Sequence, residues 1–252
     1  MTQPNNHASN CVLAGRCKLA NSDACNRNCP AFIAMHGHSG KGGRIANANT
    51  PADYRLLTLA NSPAREGQAK VYATLEKYVA TFERQFDENA PRIKSLYLWS
   101  EQPGNGKTTS AISVMNEYII ANYLGALKRG RQALQCPAYF LDTNRWQTDF
   151  NLAVMTNDEG DMERFKQEMR KVMNVPFAVL DDIGVRDCSP KFRGYIHAVI
   201  NHRTVNGYPT IFTSNLPLEE MKTVFDHRLY DRMNDQCHIE HFSGNSHRGK
   251  RK

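Results

Sequence analysis

Apolar positions along the chain change period at residue 95. Before it, Val71, Leu75, Tyr78, Val79, Phe82 and Phe86 recur at helical spacing between Gly67 and Glu88, which predicts a helix with an aromatic, core-facing stripe. After it come five short apolar runs: SLYLW (95–99), AYFLD (138–142), FAVLDD (177–182), TIFTSN (210–215) and CHIEHF (237–242). Each reads as a strand, and amphipathic stretches separate most of them. Buried strands alternating with helices imply an α/β protein, a parallel sheet sandwiched by helices. No internal repeat is present.

The first part of the chain lacks this order. Residues 1–36 are rich in Cys, Asn and Ala, and HGHSGKGGRIANANTP (36–51) holds four glycines and no apolar period. The expected organisation is a Cys-rich module over 1–38, a linker over 39–65, and a main domain over 66–252 with a leading helix and a basic tail.

A chain of 252 residues can bury one sizeable core plus a small module. No apolar run approaches the ~20 residues of a membrane helix. The opening MTQPNNHASN lacks the charged and apolar regions of a signal peptide. The expectation is a cytoplasmic protein with no membrane partner. A formal charge of +7 favours an anionic partner, and nucleic acid is the commonest. The closing HRGKRK fits either such a contact or a solubilising extension.

Candidate chemistry begins at SLYLWSEQPGNGKTTSA (95–111). The phosphate-binding loop of nucleoside triphosphatases is written G-x-x-x-x-G-K-[ST]. Gly106, Lys107 and Thr108 supply its end, Gly104 and Asn105 lead into it, and Thr109 follows, while Glu101 stands in place of its first glycine. A strand, a Gly-rich turn and a helix place backbone N–H groups around an anion. Lys107 would reach the outer phosphates and the Thr108 hydroxyl would ligate Mg2+. Glu101 should strain the start of the turn more than it removes donors, and should point to solvent or to a basic neighbour.

A second feature lies some 75 residues on. VPFAVLDDIG ends a buried strand in two carboxylates, which an apolar core does not tolerate unpaired. Asp181 would hold Mg2+ through water, and Asp182 would polarise the attacking water, as in a Walker B strand. Asn215 follows another apolar strand, where its amide could orient water or simply make a turn before Pro217. Arg228 and Arg232 share a helix face with Asp226, Asp231 and Asp235 interleaved. They read either as a salt-bridged surface or as an arginine finger for a neighbouring subunit's nucleotide.

The order GNGKT, LDDIG, TSN, RLYDRM and G-N-S-H-R resembles the AAA+ domain of bacterial and phage replicative-helicase loaders of the DnaC/DnaI type, over roughly residues 50–250. The resemblance implies ATP and Mg2+ as cofactors, Lys107, Thr108, Asp181 and Asp182 as Walker residues, and Asn215 as sensor 1. It also implies Arg232 as the arginine finger and Arg248 as a sensor 2 arginine. The task it implies is binding a hexameric replicative helicase and delivering it to single-stranded DNA, with self-association through the ATP site. Asp182 stands where many relatives of this kind have glutamate, so slow hydrolysis used as a switch is expected. Loaders carry a DNA-contacting helical insertion between the Walker motifs. Here that region offers Lys128, Arg129, Arg131, Arg145 and Trp146 as DNA contacts, or else a surface loop and a partly buried Trp.

Seven cysteines include a cluster at Cys11, Cys17, Cys25 and Cys29, with His36 and His38 close behind. Four soft ligands in a segment of low apolar content suggest structural Zn2+, with His36 as an alternative ligand. In the loader family such a module docks on the helicase. Cys136, Cys188 and Cys237 read as core thiols. Two rival functions share these motifs: an IstB-type transposition helper acting on duplex DNA, and a nucleotide-gated adaptor with little turnover.

Overall fold

A computed structural model describes residues 7–184, 188–244 and 246. All five apolar runs form strands: β1 (Ser95–Trp99), β2 (Ala138–Asp142), β3 (Phe177–Asp181), β4 (Thr210–Ser214) and β5 (Cys237–His241). They pair in parallel in the order β2-β3-β4-β1-β5. Nine α-helices accompany them among the described residues: α1 (Pro30–His36), α2 (Gly43–Asn47), α3 (Ala69–Val79), α4 (Lys107–Lys128), α5 (Thr143–Thr156), α6 (Glu159–Asn174), α7 (Pro190–Asn206), α8 (Met221–Val224) and α9 (His227–Gln236).

Alternate strand residues feed two cores, as a pleated sheet requires. Leu96, Leu98, Phe140, Val179 and Ile211 pack with α3 and α4 on one face. Tyr97, Leu141, Leu180 and Phe212 pack with α5, α6 and α7 on the other. The aromatic stripe is core, as its period implies, but its last part is a 3-10 segment (Ala80–Phe86) rather than α-helix. There the Thr81 hydroxyl and the Gln85 amide donate to the Tyr78 and Phe82 carbonyls.

The expected linker is packed against the main domain. Ile45, Ala48 and Leu59 are buried in the α4 core. Ala48 accepts the Phe140 amide at 2.9 Å and Asn49 donates to the Phe140 carbonyl at 2.9 Å, so this stretch covers the free edge of β2. An uncovered edge would leave those groups unpaired. Buried Arg44 donates to the carbonyls of Ala34, Ala133 and Leu134, tying α1 to the end of α4. Arg16 meets buried Glu117 of α4 at 2.5 Å, and Glu117 also accepts the Leu59 amide.

Candidate nucleotide site

The glycine turn joins β1 to the N-terminus of α4, so the amides of the first helical turn open onto the loop. Gly104 and Gly106 have φ of 81° and 101°, a left-handed region that favours glycine. A Cβ on Gly106 would stand 2.5 Å from the Ala64 Cβ, which fixes that position as glycine on steric grounds too. Asn105 is buried and donates to the Ser100 hydroxyl at 2.5 Å and to the Phe242 carbonyl at 3.0 Å. Gln68 donates to the Asn105 and Ser243 carbonyls, so the loop is gripped from both sides. Buried Lys107 donates to the Gln102 carbonyl at 3.1 Å and to the Ser100 carbonyl and Asn105 Oδ1 at 3.4 Å.

Glu101 is exposed and turned aside. Its carboxylate meets His241 Nε2 at 3.3 Å, and the His241 ring stacks 4.4 Å from Trp99. Its own backbone N–H and then His241 hold its pKa below the usual carboxylate value. The expected turn toward a basic neighbour is met by a histidine.

Thr108 and Asp181 come together across 73 residues. The Thr108 hydroxyl donates to Asp181 at 2.9 and 3.1 Å, and the Thr213 hydroxyl donates to the same carboxylate at 2.6 Å. Burial pushes the Asp181 carboxyl up to about 6, opposed by the Thr213 and Thr108 hydrogen bonds. A buried carboxylate beside a hydroxyl, with no cationic side chain against it among the described residues, is a hard-oxygen donor set that fits Mg2+.

Asp182 adopts φ of 63°. Its N–H donates to the Thr213 hydroxyl at 2.8 Å, and its carbonyl accepts from Thr143. Its carboxylate accepts the Asn144 side-chain amide at 2.6 Å and lines a cavity of about 270 Å³ with Asn144, Cys188 and Arg193. β4 lies between β1 and β3, and Asn215 is one residue beyond β4, the strand that separates the glycine-loop strand from the one ending in Asp181. Sequence reasoning missed Thr213, Asn144 and Thr143. Thr213 carried one signal, a polar residue inside an apolar strand; Asn144 carried none, because its partner is 38 positions away.

Beside the loop is a cleft of about 480 Å³ lined by Ser62, Pro63, Arg65, Glu66, Ala69 and Tyr72. The Tyr72 hydroxyl bonds Ser62 at 2.5 Å and Ser110 of α4 at 2.9 Å, tying the cleft to the phosphate-loop helix.

Arg228 and Arg232 are exposed on α9, and Arg232 donates to Asn201 of α7. Among the described residues, neither bonds to the glycine loop, Asp181 or Asp182. Arg248 lies outside the described residues.

One expectation is corrected. Trp146 is fully buried, stacked on Phe165 at 4.5 Å and edge-on to Phe192, so it is core and offers no base a stacking face. Arg145 beside it is paired with Glu168 and Asp149. His36 Nε2 accepts the Val12 amide at 3.0 Å, and burial lowers its pKa to about 4, keeping the ring neutral. The Cys11 thiol is pushed up, chiefly by burial, with Cys25, Cys29 and Cys17 adding to the effect. Among the described residues, however, no group of three or more His, Cys, Asp or Glu is arranged to hold a metal. No described helix is long and apolar enough to cross a membrane.

A parallel sheet covered by helices on both faces, with β4 set between β1 and β3, is an α/β fold shared with solved helicase-loader structures. Residues 142–252 match the family described as IstB-like ATP binding protein. The chain is 25% identical over 168 residues to the replicative helicase loader DnaC of Escherichia coli K12, a match spanning 67% of this chain and 58% of that protein. Its fold is similar to the crystal structure of the DnaC helicase loader, with a TM-score of 0.54 and 20% identity over 77% of this chain and all of that one. The crystal structure of DnaI is similar too, with a TM-score of 0.53 and 18% identity over 77% of this chain and 95% of that one.

Proposed function

We propose that this protein is an ATPase switch that binds a hexameric replicative helicase and delivers it to single-stranded DNA. The observation that carries the ATP site is the Thr108–Asp181 contact behind a glycine loop that opens on a helix N-terminus. The similarity to a replicative helicase loader supports the task.

In this reading the base sits in the Tyr72 cleft and the phosphates lie over Gly104–Lys107. The Lys107 ammonium exchanges loop carbonyls for phosphate oxygens. Thr108 and Asp181 would hold Mg2+, which supplies positive charge against the phosphates. Asp182 takes the proton of the attacking water once its carboxylate leaves Asn144, and Asn215 orients that water. Arg232, with Arg228 beside it, reaches a neighbouring copy's nucleotide after leaving Asn201, and Arg248 completes the phosphate contacts.

The Cys-rich module is proposed as the helicase-docking part, held by Zn2+ on Cys11, Cys17, Cys25 and Cys29. The crowding of four cysteines into residues 11–29 supports this. About one zinc per chain, lost in Cys25→Ser/Cys29→Ser, is the expected assay. A zinc-free parent rules it out.

A second reading, a transposition helper on duplex DNA, is favoured by the IstB-like match over 142–252 and by the loss of Trp146 as a single-strand contact. Affinity capture from source-cell lysate, with and without an ATP analogue, separates the two. Nucleotide-dependent recovery of the replicative helicase by the parent, lost in Lys107→Ala, is expected. Recovery of a transposase instead, with tighter binding to duplex than to single strands, overturns the loader reading.

A further inference from the structure

Among the described residues, eight large apolar side chains stand exposed, and five of them fall in two patches of opposite charge. The first patch is the end of α5. Trp146, Phe150 and Ala153 face the core there, leaving Leu152, Val154 and Met155 at 51, 49 and 81% exposure. Leu152 and Met155, three apart, share a helix face. From Asp149 to Glu163 the chain carries five carboxylates and no Lys or Arg; Asp149, Asp161 and Glu163 pair with Arg145, Arg164 and Arg170, and Asp158 and Glu159 have no ion pair among the described residues. Phosphate backbone would be repelled by such a rim, so an apolar knob ringed by acid suits a basic protein surface and not DNA.

This chain has such a surface. At the end of α4, Leu127 and Leu134 are 54 and 48% exposed and flank Lys128, Arg129 and Arg131, with no acid from 127 to 135. Arg129 is engaged by Glu83 at 3.2 Å and lies over the Phe86 ring. Lys128 and Arg131 make no ion pair among the described residues.

We infer that the α5 knob of one copy docks on the α4 patch of the next, Leu152 and Met155 against Leu127 and Leu134, with the acidic rim facing Lys128 and Arg131. The contact joins two different surfaces, so it is head-to-tail and either closes as a ring or continues as a filament. It does not use the ATP site, because neither patch includes the glycine loop, Asp181, Asp182 or Arg232; Lys128 and Arg131 are the same residues read from the sequence as candidate DNA contacts. A contact of this small area is weak, and salt weakens it further.

Sedimentation velocity of the full chain without nucleotide or Mg2+, from about 5 to 200 µM, tests it. Concentration-dependent association that salt reduces is expected. Met155→Asp and Arg131→Glu each lower the association constant by about tenfold or more. Mixed together, the two variants form a dimer and nothing larger, since one intact knob meets one intact patch and the other two surfaces are disabled. That result also requires both variants to be folded. A parent that stays monomeric, single variants that associate like the parent, or a mixture without dimer overturns the contact. Association seen only with nucleotide and untouched by either substitution sinks this contact while leaving self-association at the ATP site standing.

Discussion

The side-chain amide of Asn144 holds the Asp182 carboxylate at 2.6 Å, while the Thr213 hydroxyl takes the Asp182 amide at 2.8 Å. One residue in the first turn of α5 thus holds the carboxylate proposed to accept a proton from water, and one on β4 fixes its backbone. Asn144 acts as a positioning residue.

Removing that hold should release the base. Asn144→Ala is expected to raise basal ATP hydrolysis several-fold, and Asp182→Asn to lower it by about a hundredfold, the scale of a general base. The lost hydrogen bond costs only about 1 kcal/mol of stability. Single-turnover hydrolysis at saturating ATP measures both. Equal rates in Asp182→Asn and the parent would take Asp182 out of the mechanism.

Asp181 predicts a pH signature. Its carboxyl stands at about 6 against an ordinary 3.8, because burial disfavours the charge. A carboxyl raised on folding contributes stability in its protonated form, present below about pH 4 and lost as pH rises through about 6. The nucleotide-free parent should therefore fall below Asp181→Asn in Tm at about pH 7.5 and approach it at about pH 5. Mg2+-nucleotide binding needs the ionised form, so affinity should drop as pH falls through about 6. A Tm difference that is the same at both pH values contradicts the assignment.

Gly106 has two constraints that can be separated. Gly106→Ala places a Cβ 2.5 Å from that of Ala64 and keeps an alanine at φ of 101°. Destabilisation of about 1–3 kcal/mol with loss of nucleotide binding is expected. Ala64→Gly in the same chain relieves the contact but not the dihedral, so it should restore only part of the stability. Denaturant melts of the parent and the two variants resolve the two parts.

Trp146 should behave as core. Trp146→Ala is expected to cost about 3–5 kcal/mol. Trp146→Phe is milder, since the indole N–H is buried without a partner and its removal leaves nothing unpaired. Affinity of the Phe variant for single-stranded oligonucleotide, measured by fluorescence anisotropy, should equal that of the parent. A large drop would return this residue to a DNA surface.

The sequence by itself determined the five strands, because apolar runs bounded by polar turns report burial, and each run became a strand within a residue of its predicted end. It also determined the glycine loop and the pair Asp181 and Asp182, since those signals lie in a few adjacent residues. Tertiary structure decided the rest. Period tells how deeply a side chain is buried but not what it meets, so Trp146 beside a basic residue could read as a DNA platform until Phe165 and Phe192 closed over it. A Gly-rich stretch without apolar period reads as a linker, yet backbone groups at Ala48 and the guanidinium of Arg44 find partners on β2 and in the segment after α4 that no local pattern encodes. The Asn144–Asp182 contact exists only because the parallel sheet sets the ends of β2 and β3 side by side. Hydrogen bonds between distant segments depend on strand order, and strand order is set by how the whole core packs.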